Sequence, residues 1–383
     1  MKIVNLLPYC PLPADQGSKV EMLKHLDVLC SLGECTVASA GSRPVGMGWS
    51  ESTRSEMERR GARVVLREDL HPFRTWRQVA GLFYAVASKA LKLEKAFGHA
   101  NPYHRFAFQP KWWQRVSQQA DLVVINYSYW AWLPSKCAKV IILHDLLSDL
   151  MWGGNHTEAQ ELLAADLVVV ISKNEEEQLR LRGVKNILWS PPLVQPANFP
   201  ASSIIGIVGS ANLHNREGLR WLQTVSPPDA MQIRVHGALS QFADFPNAIR
   251  VQSYIDPYQP YRDCGIILLP TAIGTGVQIK AVEALACGRA IVARRGAMRG
   301  IPKGRDAWIE VDSPEEMWLQ AKRLVDDEYL RNTQGEKARM YYQRYLHHEK
   351  VLEELRQAYS GLIAAKSSEA KGNVKPEVCL PRL

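Results

Sequence analysis

The sequence predicts an α/β protein of two doubly wound, Rossmann-like domains, each built on a parallel sheet. Short apolar runs alternate with amphipathic stretches along most of the 383 residues, as expected for strands buried on both faces between helices. The alternation breaks once, across Ser190-Pro191-Pro192-Leu193-Val194-Gln195-Pro196-Ala197-Asn198-Phe199-Pro200-Ala201-Ser202-Ser203, and restarts at Ile204. Proline lacks an amide hydrogen and fixes φ, so this stretch reads as a linker. Length agrees, because single cores stop growing beyond roughly 250–300 residues.

In the first half, strands are expected at residues 2–7, 35–38, 63–66, 122–126, 140–143 and 167–171. Ser172-Lys173-Asn174-Glu175 predicts a capping box, serine at the N-cap and glutamate three residues on, opening a helix that ends near Gly183. In the second half, the apolar run at 204–210 restarts the alternation, and further strands are expected at 232–236, 249–251, 265–269, 290–293 and 308–311. From Pro314 to about Ala364 the pattern is helical, and residues 366–383, polar and proline-bearing, read as a disordered tail. The expected division is 1–190 for the first domain, 191–203 for the linker and 204–345 for the second, with a helix at 346–365 packing back on the first. In doubly wound sheets ligands bind beyond the carboxyl ends of the strands, so two such halves predict a cleft between them.

Composition excludes several classes. With 46% hydrophobic and 22% charged residues the chain is an ordinary soluble globular protein. No apolar run approaches the roughly 18 residues of a membrane span. The run after Met1 is too short for a signal-peptide core and reads as the first strand. Seven cysteines are scattered with no C-x-x-C pair, which predicts reduced thiols in the cytosol and no structural zinc.

The net charge of +8 has a local source. Residues 72–116 hold Arg74, Arg77, Lys89, Lys92, Lys95, Arg105, Lys111 and Arg115 against one acid, Glu94, among ten aromatic side chains. Such a segment reads either as packed helices with a solvated basic face or as a peripheral contact with an anionic membrane or acceptor. No nucleic-acid motif accompanies the charge, so nucleic acid is not expected.

One segment carries chemistry at close spacing. The run Gly265-Ile266-Ile267-Leu268-Leu269-Pro270 reads as a buried strand, and Gly274-Thr275-Gly276-Val277 as a glycine loop after it. A helix then presents Ile279, Val282 and Ala286 on one face and stops at Gly288, before a strand at Ala290. Amides at the start of that helix favour an anion. Lys280 and Glu283, three residues apart, share a flank. They suit a phosphate and a pair of sugar hydroxyls, or else form a solvated ion pair.

With these motifs in order, residues 1 to 360 resemble the retaining glycosyltransferases of the GT-B fold, the glycosyl transferases group 1 type. The resemblance implies an acceptor-binding N-terminal domain and a C-terminal domain that binds a nucleotide-diphosphate sugar, with no bound metal or cofactor. Pro8 to Ser18 resembles the family's first loop, in which Gly17 lets backbone amides approach the diphosphate, although the often-paired preceding glycine is Gln16 here. Ile141-Ile142-Leu143-His144-Asp145 resembles the strand end whose histidine faces the donor sugar. The stretch from Ala164 to Ser172 matches a structural segment of the family.

Gly209, Ser210 and Arg216 lie in the place of a loop that supplies an arginine and a lysine to the diphosphate; no lysine follows Arg216, and Asn215 resembles a variant subgroup. Tyr254 and Ile255 occupy the turn that lies against the nucleobase. Lys280 matches the diphosphate lysine, and Glu283 the ribose-binding second glutamate of an E-x7-E motif. The first glutamate is replaced by Thr275, within a Gly274-Thr275-Gly276-Val277 pattern in which the loop backbone takes over sugar contacts.

The implied reaction is hexosyl transfer from the nucleotide sugar to a hydroxyl acceptor, with retention, in glycan, lipopolysaccharide or glycoconjugate biosynthesis of the cell envelope. Lys280 and Arg216 would stabilise the leaving diphosphate, and His144 would orient the sugar. The acceptor could be a glycan, a lipid-linked saccharide or an aglycone. The expected location is the cytoplasm, including its membrane face. Two rival readings keep the same fold. A non-catalytic nucleotide-sugar or glycan-binding protein is suggested by the missing glutamate and lysine, and a nucleotide-sugar epimerase would need acid/base carboxylates that the loops do not obviously offer.

Overall fold

The computed structural model describes residues 1–14, 17–39, 48–70, 83, 110–146, 156–246, 248–304 and 306–370. The chain divides into two compact units, one of Met1–Ser190 with the described residues from Leu352 on, the other of Pro191–Val351.

In the first unit the elements run β1 (Lys2–Leu7), α1 (Gly17–Leu32), β2 (Glu34–Ser39), α2 (Glu51–Arg59), β3 (Ala62–Leu66), α3 (Arg67–Leu70), α4 (Pro110–Ser117), β4 (Leu122–Asn126), β5 (Ala138–Leu143), α5 (His156–Leu162), β6 (Leu167–Val170), α6 (Lys173–Leu181) and β7 (Ile187–Trp189). The seven strands pair in the order β3-β2-β1-β4-β5-β6-β7, all parallel. Every residue of β4, β5 and β6 is buried, which is why these strands read as apolar runs apart from Asn126 and Lys139.

The second unit runs β8 (Ile205–Val208), α7 (Leu213–Leu222), β9 (Ile233–His236), β10 (Ile249–Val251), α8 (Gln259–Asp263), β11 (Ile266–Leu269), α9 (Ile279–Ala286), β12 (Ala290–Arg294), β13 (Ile309–Val311), α10 (Pro314–Asp326) and α11 (Glu328–Tyr345). Its six strands are parallel in the order β10-β9-β8-β11-β12-β13. The last helix, α12 (His348–Ala370), starts in this unit and continues into the first. Ile207, Leu219, Val235, Leu268, Val292 and Trp318 lie in one buried cluster. Each such aliphatic side chain contributes about 1.5–3 kcal/mol relative to exposure.

Both sheets reverse direction of winding at one point, between β1 and β4 in the first and between β8 and β11 in the second. A ligand crevice forms where the crossovers on either side of such a point part.

Several expectations change. β7 is an additional strand, only three residues long and hidden between Gly183 and Pro191. Ser172 is the N-cap of α6 but its hydroxyl makes no capping bond, and the Glu175 carboxylate accepts the Leu146 amide at 3.0 Å instead of the N-cap amide, so no capping box forms. Residues 366–370 are helical, with Lys366 paired to Asp166 at 2.9 Å, where a disordered tail was expected. The linker forms no helix or strand, yet Leu193 and Val194 are buried, and Tyr342 donates its hydroxyl hydrogen to the Val194 carbonyl.

Of the basic aromatic segment at 72–116, only Phe83 and α4 fall within the described residues. In α4, Trp112 and Trp113 are core side chains, the second donating from its indole to the Pro134 carbonyl at 3.0 Å. These two aromatics therefore serve packing. Among the described residues no helix is long and apolar enough to cross a membrane.

Three buried histidines set an acid limit on the fold. Burial lowers His25 and His236 from 6.5 to about 4, and His144 to about 3. Each takes a proton more readily unfolded than folded. Their contribution is therefore complete above pH 6.5 and is lost as pH falls toward 3–4. Urea midpoints measured from pH 7.5 to 4 are expected to fall below pH 6.5, and to fall less in a His25→Gln variant; parallel curves would contradict the assignment.

Candidate functional site

The candidate residues form two groups, one in each unit. In the second unit they gather at the β8/β11 reversal. Gly209 and Ser210 follow β8, and helix α7 begins three residues later with Asn212 as N-cap, its side chain accepting from the Asn215 amide at 2.8 Å. Asn215 and Arg216 therefore sit on the first helical turn. Helix α7 can lie this close only because Gly218 is bare, since a Cβ there would stand 2.8 Å from the Thr271 Cα and amide nitrogen. That contact brings the start of α7 against the loop after β11.

The loop itself turns on two glycines in the left-handed region, Gly274 at φ +135 and Gly276 at φ +64. These are conformations that side-chain-bearing residues rarely adopt. Gln278, the N-cap of α9, does not cap it. Its amide instead donates to the Thr271 and Ala297 carbonyls, both at 2.7 Å, and fastens the loop from beneath.

Lys280 and Glu283 are not an ion pair with each other. The Lys280 ammonium donates to the Val208 carbonyl at 3.0 Å and to Asn215 Oδ1 at 2.8 Å. Glu283 Oε2 accepts from the buried Tyr261 hydroxyl at 2.6 Å. Asn215 is the hub of the arrangement. Its Nδ2 donates to the Ser210 carbonyl at 3.0 Å, which turns Oδ1 toward Lys280 and toward the Thr271 hydroxyl at 3.2 Å. An ammonium has three donors, so two fixed bonds aim the third. Desolvation first, then the charge of Arg299, lowers Lys280 from 10.5 to about 7, while Glu283 acts the other way.

Arg216 is placed differently. Its guanidinium lies over the Phe242 ring, 4.3 Å from the centroid. Phe242 ends a 3-10 turn at Ala238–Phe242, and cation–π attraction explains the posture. Beyond β10, Tyr254 stands edge-on to His236 with ring centroids 6.0 Å apart, and Ile255 is fully exposed. An apolar side chain so exposed at a strand end offers a surface to a flat ring.

In the first unit, Gly17 opens α1 and His144 follows β5. His144 is 2% exposed, so it is a buried side chain. Asn126 Nδ2 donates to Asn5 Oδ1 at 2.8 Å, which leaves Asn126 Oδ1 facing His144 Nε2 at 3.0 Å. The ring nitrogen meeting that oxygen must carry the proton. His144 is therefore neutral and protonated on Nε2.

Beside it Tyr127 holds φ +63, a conformation costing a non-glycine residue of order 1–3 kcal/mol. Its amide donates to the Ile142 carbonyl at 2.8 Å, its ring lies 4.9 Å from His144, and its hydroxyl meets that of Tyr9 at 3.2 Å. Tyr9 and Tyr127 follow β1 and β4, the strands that flank the reversal in this sheet.

Sequence reasoning did not single out Asn5, Asn126, Tyr127, Thr271, Gln278, Tyr261 or Arg299. Only Asn215 and Gln278 left a local sign, one following an Asn-x-x-Asn start and the other heading the α9 pattern.

Two all-parallel, doubly wound units, the second with a glycine loop and a lysine at its switch point, define the GT-B class of fold. Residues 202–327, within the second unit, match the family model described as glycosyl transferases group 1. No curated protein matches the chain in sequence.

Among solved structures, sucrose-phosphate synthase from Thermosynechococcus elongatus is 17% identical, with a TM-score of 0.62 over 95% of this chain and 100% of that one. The Anabaena protein HepE in complex with UDP is 13% identical, with a TM-score of 0.63 over 94% of this chain and 100% of that one. TarM is 10% identical, with a TM-score of 0.66 over 92% of this chain and 97% of that one. At these identities the likeness is one of fold.

Proposed function

We propose that the chain transfers a hexosyl group from a nucleotide-diphosphate sugar to a hydroxyl acceptor, with retention at the anomeric carbon, in glycan or glycoconjugate biosynthesis of the cell envelope. The observation that carries this reading is the Lys280–Asn215–Thr271 assembly at the β8/β11 reversal, within the residues that match the family model. Cleaving the glycosidic bond leaves negative charge on the diphosphate, and a desolvated, pre-aimed ammonium is worth most where charge develops.

In this reading Lys280 takes the diphosphate, with Arg216 and the amides around Gly17, Gly209, Ser210 and Gly276 as further donors. Glu283 takes the ribose, Tyr254 and Ile255 the base, and His144 the sugar. The loop backbone at Gly274, Thr275 and Val277 supplies sugar contacts in place of a carboxylate. Since side-chain cations meet the diphosphate, no bound metal or cofactor is assigned, and activity is expected to survive EDTA. The protein would work in the cytoplasm or at the inner membrane face.

UDP-sugars are the first donors to test, because HepE binds UDP-glucose and an α-glucosyltransferase of the same fold binds UDP. Thermal shifts with UDP, GDP and dTDP, followed by slow hydrolysis of the matching sugar nucleotide, check the proposal. A ligand at 100 times its Kd stabilises by about 2.7 kcal/mol. No shift with any diphosphate would end it, and a product of inverted configuration would remove retention.

A further inference from the structure

We propose that Arg299 binds the donor diphosphate together with Lys280, as the second cation of the site. This rests on the donor reading above and adds a residue that the family pattern does not supply here. That pattern places a lysine after Arg216, and this chain has none.

Arg299 comes from the loop after β12. One edge of its guanidinium reaches the carbonyls of Ala272 and Gly296, each at 3.3 Å, and of Thr271 at 3.5 Å. These are long for N–H···O bonds. The other terminal nitrogen lies against Gly274, where a Cβ would stand 2.5 Å from it. The glycine thus has two tasks: it takes φ +135 and makes room for the cation. A guanidinium pressed against the glycine loop delivers fixed positive charge to the place where the loop would meet an anion.

Electrostatics point the same way. Among the described residues, the polar groups near Lys280 include Glu283 on its own helix, Asn215 on α7, Tyr261 on α8 and Arg299. Apart from burial, Arg299 has the largest influence on the ammonium, and it acts against the charge. Two cations that oppose each other are both satisfied by one diphosphate. Binding should therefore raise the Lys280 pKa from about 7 and draw in a proton.

Calorimetry tests this with UDP, GDP and dTDP and their parent nucleosides, on the full chain and on Arg299→Gln and Arg299→Lys, in two buffers of different ionisation heat at pH 7.5. In Arg299→Gln the tightest diphosphate is expected to bind about 10- to 100-fold more weakly, as for loss of a charged hydrogen bond, with the nucleoside unchanged. Arg299→Lys should recover part of the loss. Proton uptake should also fall in Arg299→Gln, because removing the Arg299 charge raises the Lys280 pKa and leaves less of a proton to be drawn in on binding.

Equal weakening of diphosphate and nucleoside would reduce Arg299 to a support of the loop and overturn the assignment, as would unchanged diphosphate affinity. A parent chain that binds none of the three diphosphates overturns the donor reading itself, which is a different outcome from either.

Discussion

Lys280→Met is expected to lower kcat/KM for the sugar nucleotide by about 10²–10³-fold, the usual effect of removing one pre-aimed donor from a charge-stabilising site. Methionine keeps the length and the apolar stem, so α9 and its packing should survive. What is lost is the ammonium held between the Val208 carbonyl and Asn215 Oδ1. The loss should appear in kcat as well as in diphosphate affinity, because negative charge on the leaving group grows in the transition state.

The pH profile adds an independent check. Unliganded Lys280 has its pKa lowered to about 7, and an anionic ligand raises it. Affinity for the sugar nucleotide, whose diphosphate does not titrate in this range, is then flat below pH 7 and falls as pH rises above it, since binding above that point must also collect a proton. Lys280→Met should bind weakly at every pH, with that descent gone. A variant that keeps the parent's affinity and pH dependence would remove Lys280 from the site.

Much of the fold was legible because its signal is local. β1 and β4 begin and end at the expected residues, since strands buried on both faces leave little room for polar residues. The Pro191–Pro200 stretch was equally readable, because the missing amide of proline acts where it stands. β7 escaped notice because three residues carry no period.

The expected capping box failed in its glutamate half for a tertiary reason: Glu175 is committed to the amide of Leu146, 29 residues away. The site divides along the same line. Lys280 and Glu283 were marked by their spacing beside a glycine loop, yet the sequence left open whether they pair with each other. Their partners lie 65 and 22 residues off, in Asn215 and Tyr261. No periodicity reports a contact that depends on how α7 and α8 dock, and docking of α7 rests on the bare backbone of Gly218.

Glu283→Ala is the second large effect, expected at about 100-fold in nucleotide affinity, or about 2.8 kcal/mol at 1.4 kcal/mol per decade. Two contributions are involved, and they can be separated. A carboxylate that accepts both ribose hydroxyls makes charge-assisted bonds worth roughly 1.5–3 kcal/mol. Removing it also strips the partner from Tyr261, whose hydroxyl is buried and retains only the Lys280 carbonyl at 3.3 Å. That second loss falls on the folded protein with or without ligand.

Tyr261→Phe isolates it: the carboxylate remains, and the side chain loses the contact that orients it. Tyr261→Phe should weaken the nucleotide by less than tenfold, while Glu283→Ala shows the full loss and Glu283→Gln, which keeps one acceptor, falls between. The 2′-deoxynucleotide supplies the decisive comparison. If Glu283 holds the ribose, the parent discriminates against the deoxy form and Glu283→Ala does not. Equal discrimination in both would show that the carboxylate serves only Tyr261 and the packing of α8 on α9.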